Sequence, residues 1–261
     1  PEEAKDVAQR HGYVEFQDVT FSYHGAEQPA LSNISFCASP GKVTAIIGGT
    51  GSGKSTLVNL IPRFYDVDSG KILVDGVETR EMSQEYLRAK IGFVPQKAVL
   101  FTGTVNDNLR YGKEDASENE IRHAAEVAQA SDFIKQMPEG YDSTIAQGGT
   151  NVSGGQMQRL SIARALVRKP EIYVFDDTFS ALDFKTDAKL RAALKGETRD
   201  STVLIVAQRV STVIDADQII VLDEGRVAGM GTHRQLMKTC DVYSGIVSSQ
   251  LSASEIAGET A

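Results

Sequence analysis

Cysteine is scarce in this chain: Cys37 and Cys240 are the only two in 261 residues. Two are too few for a disulfide framework, and their separation in sequence does not fit a zinc site, so they read as reduced thiols of a cytosolic protein. Excess basic charge is also missing. With 35 Asp and Glu against 27 Lys and Arg, the formal net charge is -8. That argues against a general nucleic-acid binder, whose phosphate contacts need a basic surface. No apolar run approaches the roughly 18 residues that would span a bilayer. The first residues, Pro1-Glu2-Glu3-Ala4-Lys5-Asp6, are polar and acidic where a signal peptide would be apolar. Internal repeats and low-complexity tracts are absent. A start on Pro1 rather than Met points to a segment of something longer.

What is present is an ordinary globular composition, 41% hydrophobic and 24% charged, over a length that accommodates a full α/β core and a smaller subdomain. Residues 1–12 read as a polar linker. Tyr13–Tyr23 and Leu31–Cys37 alternate with period two, as half-exposed antiparallel strands do, and Lys71–Gly76 adds a further β segment. Residues from about 98 to 170 are mostly helical in pattern, with a Ser117/Glu120 capping box opening a helix through about Ala130. Short apolar runs at Val43–Ile47, Ile172–Phe175, Thr202–Ala207 and Gln218–Leu222 read as buried parallel strands. Residues after about Ser248 are small and polar and are expected to fray.

The run Gly48-Gly49-Thr50-Gly51-Ser52-Gly53-Lys54-Ser55-Thr56 carries the most chemistry. It meets G-x-x-x-x-G-K-[ST] at every fixed position, follows a predicted strand, and opens a predicted helix that stops at Pro62. In that context backbone N–H groups converge on phosphates at a positive helix end, with Lys54 reaching the β- and γ-phosphates and the Ser55 hydroxyl holding Mg²⁺. Ile172-Tyr173-Val174-Phe175-Asp176 is an apolar strand ending in a carboxylate that can reach the same Mg²⁺. Between the two, Ser153-Gly154-Gly155-Gln156 opens another predicted helix; Ser153 is a natural N-cap, and the two glycines expose N–H groups to an anion.

The phosphate loop, the Ser153–Gln156 signature and the run Ser180-Ala181-Leu182-Asp183, in that order, resemble the nucleotide-binding domain of an ATP-binding cassette (ABC) transporter. The likeness extends from about Tyr13 to Met237. It implies an α/β fold: a phosphate-loop NTPase (RecA-like) core with a mostly parallel sheet, an N-terminal antiparallel β subdomain and an α-helical subdomain. The resemblance makes residues 13–240 that domain and 241–261 a C-terminal tail. It further implies that Tyr23 stacks on adenine, that Gln96 meets Mg²⁺ and the attacking water, and that Asp183 contacts the opposite subunit. The stretch Leu100–Leu109 resembles the exporter branch. The expected cofactors are ATP and Mg²⁺. The expected partners are a transmembrane domain and a second nucleotide-binding domain packed head to tail, at the cytoplasmic face of the membrane and without nucleic acid.

Two positions depart from the family pattern. Asp177 stands where a glutamate serves as general base, and its carboxylate would sit about 1–1.5 Å too far back for a reach of ~2.6–3.2 Å. Gln208 stands where the family carries histidine, and it cannot hold charge or tune a proton transfer. Both changes fall on one chemical step, as in the weaker half of a heterodimeric exporter. Val152 replaces a usual leucine but leaves Ser153–Gln156 intact, while Gln147 and Gly148 lie where exporters usually carry Glu and Arg. Two other readings stand beside this one: a nucleotide-gated clamp without turnover, and a soluble ABC ATPase outside transport.

Overall fold

The structure, a computed structural model, describes residues 11–258, and side chains through Gln250. Strands β1 (Val14–Phe21) and β2 (Leu31–Ala38) pair antiparallel. Alternation turns Val14, Phe16, Val19 and Phe21 inward, and Phe16 stacks on Phe36 with ring centroids 4.6 Å apart. Strand β3 (Val43–Gly48) has Thr44 to Ile47 buried, as a parallel strand covered on both faces must. Helix α1 (Lys54–Asn59) follows the glycine loop. Strands β4 (Ser69–Val74) and β5 (Val77–Glu78) complete the antiparallel sheet in the order β2-β1-β4-β5. Helix α2 (Gln84–Ala89) leads into β6 (Ile91–Val94).

A helical segment interrupts the α/β pattern. It holds a short ribbon of β7 (Gly103–Thr104) and β8 (Thr144–Ile145), with α3 (Val105–Arg110), α4 (Glu118–Val127) and α5 (Ser131–Gln136) between those strands. Helix α6 (Gly154–Arg168) packs against α3 and α4. The chain then alternates again: β9 (Ile172–Asp176), α7 (Phe184–Glu197), β10 (Thr202–Val206), α8 (Val210–Val213), β11 (Gln218–Asp223) and β12 (Arg226–Gly231), closing with α9 (His233–Thr239) and α10 (Asp241–Gly258). The central sheet runs β12-β11-β3-β10-β9-β6, parallel throughout except for β12 at its edge.

Period-two alternation on these central strands separates the two lobes. Ala45, Ile47, Tyr173, Phe175, Val203 and Ile205 face the helical segment, whereas Ile46, Ile172, Val174, Leu204 and Val206 face α1 and the antiparallel sheet. Because β3, β6, β9 and β10 are parallel, the loops leaving their C-terminal ends gather along one edge, the place where open α/β sheets bind ligands. The register sets Val206 opposite both Ile46 and Asp176.

Several expectations shift. The helix opened by Ser117 has its full capping box but ends at Val127, and Ser131 starts a new helix. Strand β6 went unread because Ile-Gly-Phe-Val is short, and β12 because Gly229 and Gly231 remove the apolar face that alternation would show. The fraying expected after Ser248 is corrected: α10 continues through Gly258, held at its start by buried Tyr243 and Val247. The linker expected over 1–12 lies, through residue 10, outside the described residues.

Candidate functional site

A cleft of about 390 Å³ opens at the C-terminal edge of the central sheet, lined by Tyr23, Thr50, Gly51, Gly53 to Thr56, Gln96, Asp177 and Gln208. The loop after β3 is shaped by close approach. A Cβ on Gly48 would lie 2.2 Å from the Leu222 carbonyl oxygen and 2.6 Å from Ser52 Oγ. Gly53 has φ 100°, a left-handed value that L side chains rarely adopt, and a Cβ there would lie 2.7 Å from Leu31 Cδ2. Ser52 is buried, and its Oγ has no hydrogen-bond partner.

The charged groups meet across this loop. Lys54 Nζ donates to the carbonyls of Gly48 at 2.8 Å and Gly49 at 2.7 Å. Burial lowers its pKa, opposed by the negative charges of Asp177 and Asp176. Ser55 Oγ donates to Asp176 Oδ1 at 2.9 Å, joining the start of α1 to the end of β9. Burial raises the pKa of Asp176, with Asp177 adding repulsion and the Ser55 hydroxyl opposing. Burial likewise raises that of Asp177, which sits at φ 46° just past the strand.

Asp177 is the convergence point of three loops. Its Oδ2 accepts from Gln96 Nε2 at 3.2 Å, after β6, and from Gln208 Nε2 at 2.9 Å, after β10. Both glutamines are exposed at the cleft while Asp177 is buried. Tyr23, 40% exposed, has its hydroxyl within 2.8 Å of Thr56 Oγ1 and stands edge-on to Tyr65, whose ring centroid is 5.4 Å away. Tyr65 was not singled out from the sequence, since it follows α1 outside any motif.

Ser153 to Gln156 lie elsewhere. Ser153 caps α6 through a reciprocal capping box with Gln156, as its sequence indicates, and Ser153 and Gly154 are exposed. None of the four lines the cleft around Lys54. Asp183 is the N-cap of α7, accepting from Thr186 N at 2.9 Å. Arg209, next to Gln208, ties the edge of the cleft to the start of α7: its guanidinium donates to the Ser180 carbonyl at 3.2 Å and lies 4.8 Å from the ring centre of exposed Phe184.

With this geometry in view, the family model described as ABC transporter matches residues 31–180, more than half the chain. The chain belongs to the ABC transporter family. It is 50% identical over 250 residues to an uncharacterized ABC transporter ATP-binding protein of Mycobacterium tuberculosis, covering 95% of this chain and 43% of that protein. It is 43% identical over 239 residues to an ATP-dependent lipid A-core flippase of Photobacterium profundum, covering 91% of this chain and 41% of the flippase. The structure of a bacterial Atm1-family ABC exporter with ATP bound superposes with a TM-score of 0.89 at 39% identity, over 93% of this chain and 42% of the exporter. The chain thus spans less than half the length of these ABC transporter relatives. The α/β phosphate-loop ABC ATPase fold, with its antiparallel β subdomain, is the one expected from the sequence.

Proposed function

We propose that the chain is the ATP-binding and ATP-hydrolysing module of an ABC exporter, working at the cytoplasmic face of a membrane beside a transmembrane domain and a second nucleotide-binding domain. The observation that carries this reading is the cleft in which Lys54, the Ser55–Asp176 pair and the Gln96–Asp177–Gln208 cluster face one space. Lys54 Nζ, held on the loop's own carbonyls, is positioned to exchange those contacts for the β- and γ-phosphates. Tyr23, supported by Tyr65 and the Thr56 hydroxyl, offers an aromatic face for adenine.

Ser55 Oγ and Asp176 Oδ1 are hard oxygen donors fixed 2.9 Å apart, with the Gln96 amide nearby. Among the described residues no group of three or more His, Cys, Asp or Glu could hold a metal by itself. That fits Mg²⁺, which binds through one or two protein oxygens together with waters and substrate phosphates. When bound, Mg²⁺ would neutralise charge on the β- and γ-phosphates.

The same geometry supports a weakened own site. The side chain in the general-base position is one methylene short, and its Oδ2 already accepts two amide hydrogens. Neither amide can take up a proton from water. The Ser153–Gln156 helix start, exposed at Ser153 and Gly154 and not lining this cleft, supports a role in completing the site of a second domain. Hence the reading of a heterodimer in which the partner supplies the competent base and this chain supplies the signature.

Equilibrium titration of the chain with a fluorescent ATP analogue and Mg²⁺ tests the nucleotide site. Binding in the micromolar to millimolar range is expected, with its loss in Lys54→Ala; unchanged affinity in that variant would remove the phosphate-loop assignment.

A further inference from the structure

Helix α10 does more than close the chain. Tyr243 and Val247 bury one of its faces, and Tyr243 is also fixed by its hydroxyl, 2.8 Å from His233 Nδ1. Helix α10 packs against α8 and β11, the elements that follow the Gln208 loop. One turn beyond Val247, on the same face, stands Gln250.

The carboxamide of Gln250 spans the Gln208 loop. Its Nε2 donates to the Gln208 carbonyl at 2.6 Å, and its Oε1 accepts from Val210 N at 2.8 Å. The orientation of the amide is forced, because a backbone carbonyl only accepts and a backbone N–H only donates. Val210 is the first residue of α8, where an N–H has no partner within the helix. Gln250 therefore satisfies a helix-start donor and a loop acceptor at once, and fixes the peptide direction on both sides of Arg209. From that fixed backbone the Gln208 side chain reaches Asp177 Oδ2 at 2.9 Å.

We propose that Gln250 is a positioning residue for the hydrolytic site: the C-terminal helix, through one carboxamide, sets the direction in which Gln208 presents its side chain to Asp177 and to the terminal phosphate of a bound nucleotide. This rests on the ATPase reading above. The consequence is that docking of α10 and the geometry of the cleft form one linked unit, although the pair is separated by 42 residues in sequence. An element outside every nucleotide motif thereby gains a hold on turnover.

The test is a double-mutant cycle in the full chain, with Gln250→Ala, Gln208→Ala and the pair, read by phosphate release at saturating Mg-ATP and by fluorescent-nucleotide affinity. Gln250→Ala should lower kcat about ten-fold with little change in affinity, within the ~10²-fold that a 1 Å misplacement can cost. In the Gln208→Ala background the same change should cost almost nothing, since the side chain it positions is gone. Gln250→Glu keeps the acceptor for Val210 N but sets a second acceptor against the Gln208 carbonyl, so it should preserve protection of the Val210 amide from hydrogen exchange while losing rate. A merely structural role would lower the melting temperature and leave the cycle additive. Additive losses, or an unmoved Gln208 side-chain amide resonance in Gln250→Ala, overturn the proposal. That resonance can be read without turnover, so it decides the matter even if wild type fails to bind nucleotide, a result that would sink the ATPase reading instead.

Discussion

Changing Asp177 to Glu together with Gln208 to His should raise ATP turnover ten-fold or more. The two substitutions act on one oxygen. Asp177 Oδ2 is held by Gln96 Nε2 at 3.2 Å and Gln208 Nε2 at 2.9 Å. Glutamate adds one carbon–carbon bond, about 1.5 Å of reach. A general base must come within ~2.6–3.2 Å of the proton it removes, and a 1 Å error can cost ~10²-fold in rate. Histidine in place of Gln208 supplies a donor toward the γ-phosphate that can carry charge, which a carboxamide cannot. Both terms favour turnover, and ten-fold is only about 1.4 kcal/mol. One term opposes: Asp177 sits at φ 46°, where aspartate is better tolerated than glutamate, so the variant should lose some stability, at most about 1–2 kcal/mol.

The assay is phosphate release at saturating Mg-ATP for wild type, both single variants and the double, with nucleotide affinity and melting temperature measured on the same samples. Each single variant should gain less than the pair, since one restores the reach of the base while the other restores only a chargeable contact to the γ-phosphate. Wild-type turnover already on the order of 1–10 s⁻¹, or a double variant that binds nucleotide and is no faster, refutes the reasoning.

Three further outcomes are expected. Tyr23→Ala should weaken ATP binding by about ten-fold, as loss of a base–aromatic stack of ~1–3 kcal/mol implies, whereas Tyr23→Phe, which gives up only the Thr56 contact, should bind nearly as wild type; equal losses would mean the hydroxyl, not the ring, matters. In an assembled transporter Ser153→Arg should abolish hydrolysis and Asp177→Asn should have a much smaller effect, and equal losses would mean two equivalent sites. Glu120, whose pKa is lowered from 4.5 to about 2 by its bonds to Lys113 and to the Ser117 backbone, contributes stability that is present above pH 4.5 and lost as pH falls toward 2; melting curves across that range should lose part of their pH slope in Glu120→Gln, and an unchanged slope would assign the acid sensitivity elsewhere.

How much of this was legible in the sequence follows from how local each signal is. The buried strands at Val43, Ile172, Thr202 and Gln218 announce themselves because a doubly covered strand is a short apolar run, and each observed strand begins where its run begins. The capping box at Ser117 and the N-cap at Ser153 are visible because each signal lies within four residues, and the structure adds the reciprocal Gln156 bond at Ser153. Strand β12, with burial alternating only between exposed and half-buried, has no such pattern, since the sheet edge requires none of its side chains to be fully buried. Likewise α10 looked like a fraying tail because its sequence is rich in Ser and Gly, while among its described residues the buried side chains are Tyr243 and Val247.

The site divides along the same line. Lys54, Ser55 and Asp176 were readable because the strand–loop–helix unit and the strand-ending carboxylate are each contiguous segments, and the parallel sheet then carries both ends to one edge, with β10 between them, where Ser55 reaches Asp176. The resemblance flagged Asp177 and Gln208 singly, as two departures from a pattern. Their meeting on one oxygen with Gln96 depends on sheet order, which sets β10 and β6 on either side of β9 and carries all three loops to the same edge. Gln250 had no signal at all: a carboxamide bonding to backbone leaves no requirement on the residues it bonds, so neither Gln208 nor Val210 betrays it. Contacts of that kind are carried by geometry rather than by residue pairing, and it is there, behind the recognisable motifs, that control over this cleft can be exerted without altering any residue that touches nucleotide.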